Sequence, residues 1–205
     1  MIRGSKGKIV SGVNTSQGVI ETIEQYYENG WTDGFPIVPP TEDAVSDMIN
    51  ASGRDPYEVL GVVPPRNGVA TVEMVATNAV MAGCKPEYMP VVLAAVEALL
   101  DEEFDVQGLQ ATSDPAAPMV IVCGPVVQEI GINHGASLFG PGTRANATIG
   151  RSLRLILINL GGGYPDSGDK STLGSPAKYS YCVGVDIDTP WSSLHTEFGY
   201  SESDS

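Results

Sequence analysis

Apolar positions in the first half of the chain recur with a helical period. Ser16 opens a stretch through Glu28 in which Val19, Ile23 and Tyr26/Tyr27 fall on one side, and Gly30 marks its end. Thr41 precedes a second such stretch. Glu42 and Asp43 lie in its first turn, where the helix dipole favours negative charge. Val45, Met48 and Ile49 form its apolar stripe, and Gly53 stops it. Thr71, with Glu73 close behind, predicts a third helix through Met81, broken by Gly83-Cys84-Lys85. Pro86 suits the first position of a fourth helix running to about Leu100. Val91, Val92, Ala95, Val96 and Leu99 make that helix apolar over a broad face, which predicts burial.

Beyond Leu100 the pattern changes. Val106–Ala111 and Pro118–Gly124 (PMVIVCG) read as strands, the second as a central strand covered on both faces. A short helix at 125–130 follows, then a long one from Thr143 or Asn146 to Leu160, then a last strand at Tyr181–Ile187. WTDGFPIVPP (31–40) and VVPPRNG (62–68) read as rigid loops, because two successive prolines exclude helix. The order shows no regular βαβ alternation. It predicts an α+β (mixed α/β) fold, with a small sheet covered by helices and not a doubly wound one. The expected organisation is a flexible N-terminal arm at 1–15, a single globular domain at 16–199 and a disordered tail at 200–205.

Composition narrows the partners. Apolar residues make up 42% of the 205 and charged residues 18%, which argues for a well-buried chain or one that buries surface against a partner. The net charge of −14 argues against nucleic acid and against an anionic membrane surface. The longest apolar runs, Pro90–Leu100 and Leu153–Leu160, are too short to span a bilayer. No apolar segment follows Arg3, Lys6 and Lys8 as a signal peptide requires. Cys84, Cys123 and Cys182 are widely spaced and form no CxxC element, so they read as reduced thiols in a cytoplasmic protein.

Several motif readings fail on spacing. GGGYPDSGDKS (161–171) is Gly-rich, but a phosphate loop starting at Gly163 needs lysine at 169, where Asp169 stands. Neither GxGxxG nor GxSxG occurs. Ser167-Gly-Asp-Lys170 and Ser175-Pro-Ala-Lys178 match SxxK, a pattern short enough to arise by chance. There is no HExxH and no Cys/His cluster.

Three constellations remain. Cys84 lies just before Pro86, where a helix start and Lys85 together favour the thiolate. Glu87, one turn on, is the nearest acid/base candidate. The plain alternative for Cys84 is a small buried residue at a tight turn. In Phe139-Gly-Pro-Gly-Thr-Arg-Ala-Asn146, Gly140 and Gly142 allow close backbone approach. The amides at the following helix start and Arg144 then form an anion cradle. Arg151 lies two turns after Arg144 and can share its face; an ordinary salt bridge to one of the many acids competes with this reading. His195 and Glu197, two apart, point to one side if extended and would need a third ligand to hold a metal ion.

The blocks GWTDGFPIVPPTEDAV, VVPPRNGVATVEMVATNAVMAGCKPEYMPVVLAAVEAL and FGPGTRANATIGRSLRLILINLGG resemble a little-characterised bacterial family. Some of its members occur beside thiol or selenocysteine proteins of the UGSC type. The resemblance covers about residues 30–198. It marks Asp33, Pro39, Pro40, Arg66, Cys84, Glu87, Arg144, Asn146, Arg151, His195 and Glu197, and it carries no established reaction. Longer members continue past a segment like PWSSLHTEFG (190–199), whereas this chain ends at Ser205, so the resemblance implies a second protein subunit.

The expected function is a subunit of a cytoplasmic enzyme, a lyase or hydrolase. Cys84 and Glu87 are its catalytic candidates. Arg144, Asn146, Gly140, Gly142, Arg66 and Arg151 are candidates for binding a small anionic substrate. Two alternatives stand beside it. One is a non-catalytic subunit of an obligate hetero-oligomer, homo-oligomerisation being a further possibility. The other is a metal-dependent enzyme using His195 and Glu197.

Overall fold

In the computed structural model, residues 16–165, 167–186 and 189–205 are described. The arm at 1–15 lies outside them. Helix α1 is Ser16–Glu28 and buries Thr22 and Tyr26. Two threonines then start the next long helices. Thr41 Oγ1 accepts from Ala44 N at 3.3 Å to open α2 (Glu42–Ser52), and Gly53, in the left-handed region at φ 66°, closes it. Thr71 Oγ1 accepts from Met74 N at 3.3 Å to open α3 (Val72–Ala82), which Gly83 closes at φ 93°. Both match the sequence expectation, because capping chemistry is local.

Helices α3 and α7 (Arg144–Asn159) pack against each other as the centre of the molecule. Every residue of α3 from Val75 to Ala82 is buried, as is every residue of α7 from Ser152 to Asn159. Two of their polar members are tied together: Asn159 Nδ2 donates to Asn78 Oδ1 at 2.8 Å and to Trp31 O at 3.1 Å. Helix α4 (Met89–Leu99) follows a single 3₁₀ turn at Pro86–Tyr88 and packs on α2, α3 and α7. Its broad apolar face buries Val92, Leu93, Val96 and Leu99.

The strands form two small pairs. β1 (Val59–Val63) and β2 (Gly68–Thr71) are antiparallel, with Val62 opposite Val69 and a bulge between Val59 and Gly61. The sequence reading treats 62–68 as loop only; the two prolines do occupy the turn, but the valines before them and Gly68–Thr71 pair as strands. β3 (Val120–Val122) and β4 (Cys182–Gly184) are parallel, with Ile121 opposite Val183. The strand expected at Val106–Ala111 is instead helix α5, started by Asp105 Oδ1 accepting from Gly108 N at 3.0 Å. β3 is also not covered on both faces, since Met119 and Ile121 are exposed while Val122 is buried.

Two short helices complete the chain, α6 (Val126–Glu129) and α8 (Leu194–Glu197). Residues 200–205, expected to be disordered, close as a turn in which Ser201 N donates to Asp204 Oδ2. Ser205 Oγ accepts from Val126 N. The result is a mixed fold of helices with two two-stranded sheets, consistent with α+β. Among the described residues no helix is long and apolar enough to cross a membrane.

Candidate functional site

One face of α7 meets the break after α3. Arg144, Thr148, Arg151 and Ser152 stand at helical spacing on this face, and all four act on the Cys84 thiol. Arg144 Nε donates to Gly83 O at 2.9 Å, so the glycine-rich loop before α7 and the Gly83–Cys84 break are adjacent.

The thiol's chemistry differs from the sequence expectation. Cys84 is 8% exposed, and burial pushes its pKa up to about 11. Hydrogen bonding with Thr148 and Ser152, and then the charges of Arg144 and Arg151, oppose this shift without overcoming it. Cys84 follows α3 rather than starting the next helix: its N–H donates to Ala79 O, and Lys85 is the residue that caps the 3₁₀ turn. The 3₁₀ turn runs straight into α4, and this helix start does not outweigh burial. The same hydroxyls also donate to carbonyls of their own helix, Thr148 to Arg144 O at 2.8 Å and Ser152 to Ile149 O at 2.7 Å.

The other candidates divide into those near this junction and those elsewhere. Glu87 is exposed and pairs with Lys85 at 3.2 Å. Its carboxyl lies below the usual range, held there first by its own backbone N–H and then by Lys85 and Arg144. Arg144 has no described carboxylate within 4 Å. Gly142 adopts φ 123° on the exposed loop, and Gly140 N donates to Ser137 O at 2.7 Å.

Asn146 and Arg151 are fully engaged in holding the fold. Asn146 Oδ1 accepts from Asn133 N at 2.7 Å, while its Nδ2 donates to Asn133 O at 3.0 Å and Cys182 O at 3.1 Å. Arg151 forks Asp33 with two 2.8 Å bonds and also reaches the carbonyls of Phe35 and Pro36. Arg66 lies elsewhere: its N–H donates to Gly161 O, and its stem covers Gly162, where an added Cβ would come within 2.2 Å of it. That is the other end of α7, roughly 25 Å from Arg144 along the axis at 1.5 Å per residue.

His195 and Glu197 do not converge. They belong to the single turn of α8, and in a helix residues two apart point to opposite sides. Glu197 is exposed, whereas both ring nitrogens of His195 are buried without a partner. His195 lines an apolar cavity of about 960 Å³ between α4 and β3, and its backbone N–H lies against the Cys123 sulfur, a thiol that burial pushes up. Among the described residues no three His, Cys, Asp or Glu side chains group as a metal site requires.

Sequence reasoning missed Thr148 and Ser152, whose spacing from Arg144 was the available signal. The salt-bridge alternative holds for Arg151, but the sequence does not name its partner, Asp33, because the two lie far apart in it. No protein-family model, curated protein or solved structure matches this chain.

Proposed function

We propose that this chain is a subunit of a cytoplasmic enzyme, a lyase or hydrolase, that acts on a small anionic substrate beside Arg144. The observation that carries the reading is the Arg144–Gly83 hydrogen bond. It fixes a guanidinium through Nε alone, next to an amide-rich helix start and in front of a buried thiol. Arg144 is exposed and has no described carboxylate within 4 Å, so its remaining N–H groups are open to an incoming anion.

In this reading Arg144 and the amides around Gly142 bind the anionic group and stabilise charge that develops on it. Cys84, protonated through neutral pH, serves as proton donor rather than resting nucleophile. Glu87 stays ionised and balances Arg144 until substrate arrives. Both Val38, beside Gly83, and Phe139, at the head of the loop, are exposed apolar residues at the rim. A partner subunit covering them would exclude water from the junction.

The test is a screen of small carboxylic acids bearing cleavable C–S or C–N bonds, run on the protein purified from its native host with whatever associates. Turnover should fall by about 10²–10³ in both Cys84→Ala and Arg144→Gln, with circular dichroism unchanged. Full turnover in either folded variant would remove the mechanism.

The non-catalytic subunit is the second reading. It is favoured by the exposed Val62–Val69 cross-strand pair and by the two-stranded parallel β3–β4 unit, since parallel pairs ordinarily sit inside larger covered sheets. A protein that sediments as a monomer at micromolar concentration, alone and in host lysate, counts against it.

A further inference from the structure

The β3–β4 sheet is closed on one side and open on the other. Val120 N donates to Tyr181 O at 2.9 Å and Val185 N donates to Val122 O at 2.8 Å, so Val120 and Val122 turn their backbone groups toward β4. Backbone groups alternate along a strand, so those of Met119, Ile121 and Cys123 point away from β4. The outer side of β4 is sealed. Asn146 Nδ2 donates to Cys182 O at 3.1 Å, and Gly184 N donates to Asn133 O at 3.1 Å. The outer side of β3 is bare. Among the described residues, the backbone N–H and C=O groups of Met119, Ile121 and Cys123 have no hydrogen-bond partner.

This bare edge borders the apolar cavity of about 960 Å³ beside α4. Five successive residues, Met119 to Cys123, line it. A sheet face presents only alternate residues, so the cavity runs along the edge of the strand. The facing wall of α4 is made of small side chains, among them Ala94, Ala95 and Ala98. Around the cavity Phe104, Met119, Ile121, Phe198 and Tyr200 are all exposed, an apolar patch of the kind that marks a protein interface. Charge does not guard the edge, as it does on many free strands. No Lys or Arg lines the cavity, and Asp204 is the one acid there, in a chain with 25 Asp and Glu residues. Two copies, each with a net charge of −14, can therefore meet at this face with little like-charge contact.

An extended backbone is the ligand that matches a row of alternating donors and acceptors between apolar side chains. The edge is itself such a backbone, and it is complementary to its own copy. In an antiparallel pairing with a twofold axis at Ile121, that residue exchanges both hydrogen bonds with the partner's Ile121. Met119 then faces the partner's Cys123, and Val120 faces the partner's Val122. Every bare N–H and C=O of β3 is paired, and every facing pair is apolar. We propose that this edge is the interface of a homodimer, in which the β3 strands of two copies pair antiparallel about Ile121 and join the two parallel pairs into one four-stranded sheet. The proposal does not rest on the enzymatic reading, and neither Arg144 nor Cys84 lines this cavity.

Sedimentation equilibrium of the full chain at micromolar concentration tests it, together with hydrogen exchange followed at single amides. A dimer is expected, with the Ile121 amide protected in it and exchanging rapidly once dilution gives the monomer. Ile121→Lys sets two like charges directly opposite at the twofold axis and should weaken association by about tenfold or more. Ala98→Glu, at an exposed helix position, puts a charge in the wall that the partner strand covers, and should weaken association similarly. Arg144→Gln should leave the dimer intact. If Ile121→Lys does not fold, Ala98→Glu decides. The proposal is overturned if the unsubstituted chain stays monomeric, if a dimer forms with the Ile121 amide unprotected, or if folded Ile121→Lys or Ala98→Glu associates as tightly as the parent.

Discussion

Arg144 is joined to Gly83 by a 2.9 Å hydrogen bond from Nε to the carbonyl, which ties the start of α7 to the end of α3. Two residues on, Asn146 spends its amide on Asn133 and Cys182. The neighbours thus have separable roles. Asn146→Ala leaves the N–H and C=O of Asn133 without their side-chain partner, and should cost about 1–3 kcal/mol in urea unfolding. Arg144→Gln, at an exposed side chain, should cost well under that. Equal destabilisation by the two would contradict the division.

Arg151 and Asp33 form the most deeply set ion pair described, with the Asp33 side chain 2% exposed. Asp33→Asn breaks the fork while leaving the guanidinium half-enclosed by the carbonyls of Phe35 and Pro36. A loss of about 3–5 kcal/mol is expected. Arg151→Lys should also destabilise, because an ammonium cannot reproduce two parallel bonds to a carboxylate and two more to carbonyls. Chemical denaturation of both variants checks this.

Cys84 gives a pH prediction. Its folded pKa, about 11, is raised above the ordinary thiol value of 9.0. Folding therefore favours the protonated form. The associated stability is fully present below pH 9 and is lost as pH rises toward 11. The size is roughly 2–3 kcal/mol at 1.36 kcal/mol per pKa unit. Cys84→Ser should fall less steeply than the parent protein over this window when unfolding is measured at each pH. Parallel curves would show the thiol to be ordinary.

Gly68 tests the seating of the β1–β2 hairpin. A Cβ there would lie 2.4 Å from Leu160 O, a backbone atom that cannot swing aside. Gly68→Ala should destabilise by about 1–3 kcal/mol through forced displacement. A neutral effect would mean that the hairpin sits further from the end of α7.

The parts of this fold legible in the sequence are those governed by local chemistry. Thr41, Gly53, Thr71 and Gly83 mark helix ends through side-chain caps and left-handed glycines, and each does so as read. Val106–Ala111 misleads because its valine start resembles a strand, whereas the deciding feature is the Asp105 cap. The hairpin is obscured because consecutive prolines read as loop while the flanking valines find their partners across it. At the site, the sequence points to Cys84 and Arg144 but gets the direction of the thiol shift wrong. The helix that buries the sulfur, α7, starts sixty residues later, and burial is a tertiary property. The pairing of Asp33 with Arg151, 118 residues apart, leaves no local trace at all.

The central claim is that Arg144 and the loop before α7 receive an anion in front of Cys84. Titration of inorganic phosphate into ¹⁵N-labelled protein, followed by amide shifts residue by residue, tests it most directly. The account predicts saturable shifts at Gly140, Gly142, Ala145 and Cys84, all absent in Arg144→Gln. Shifts that do not saturate, or that persist unchanged in Arg144→Gln, would contradict it.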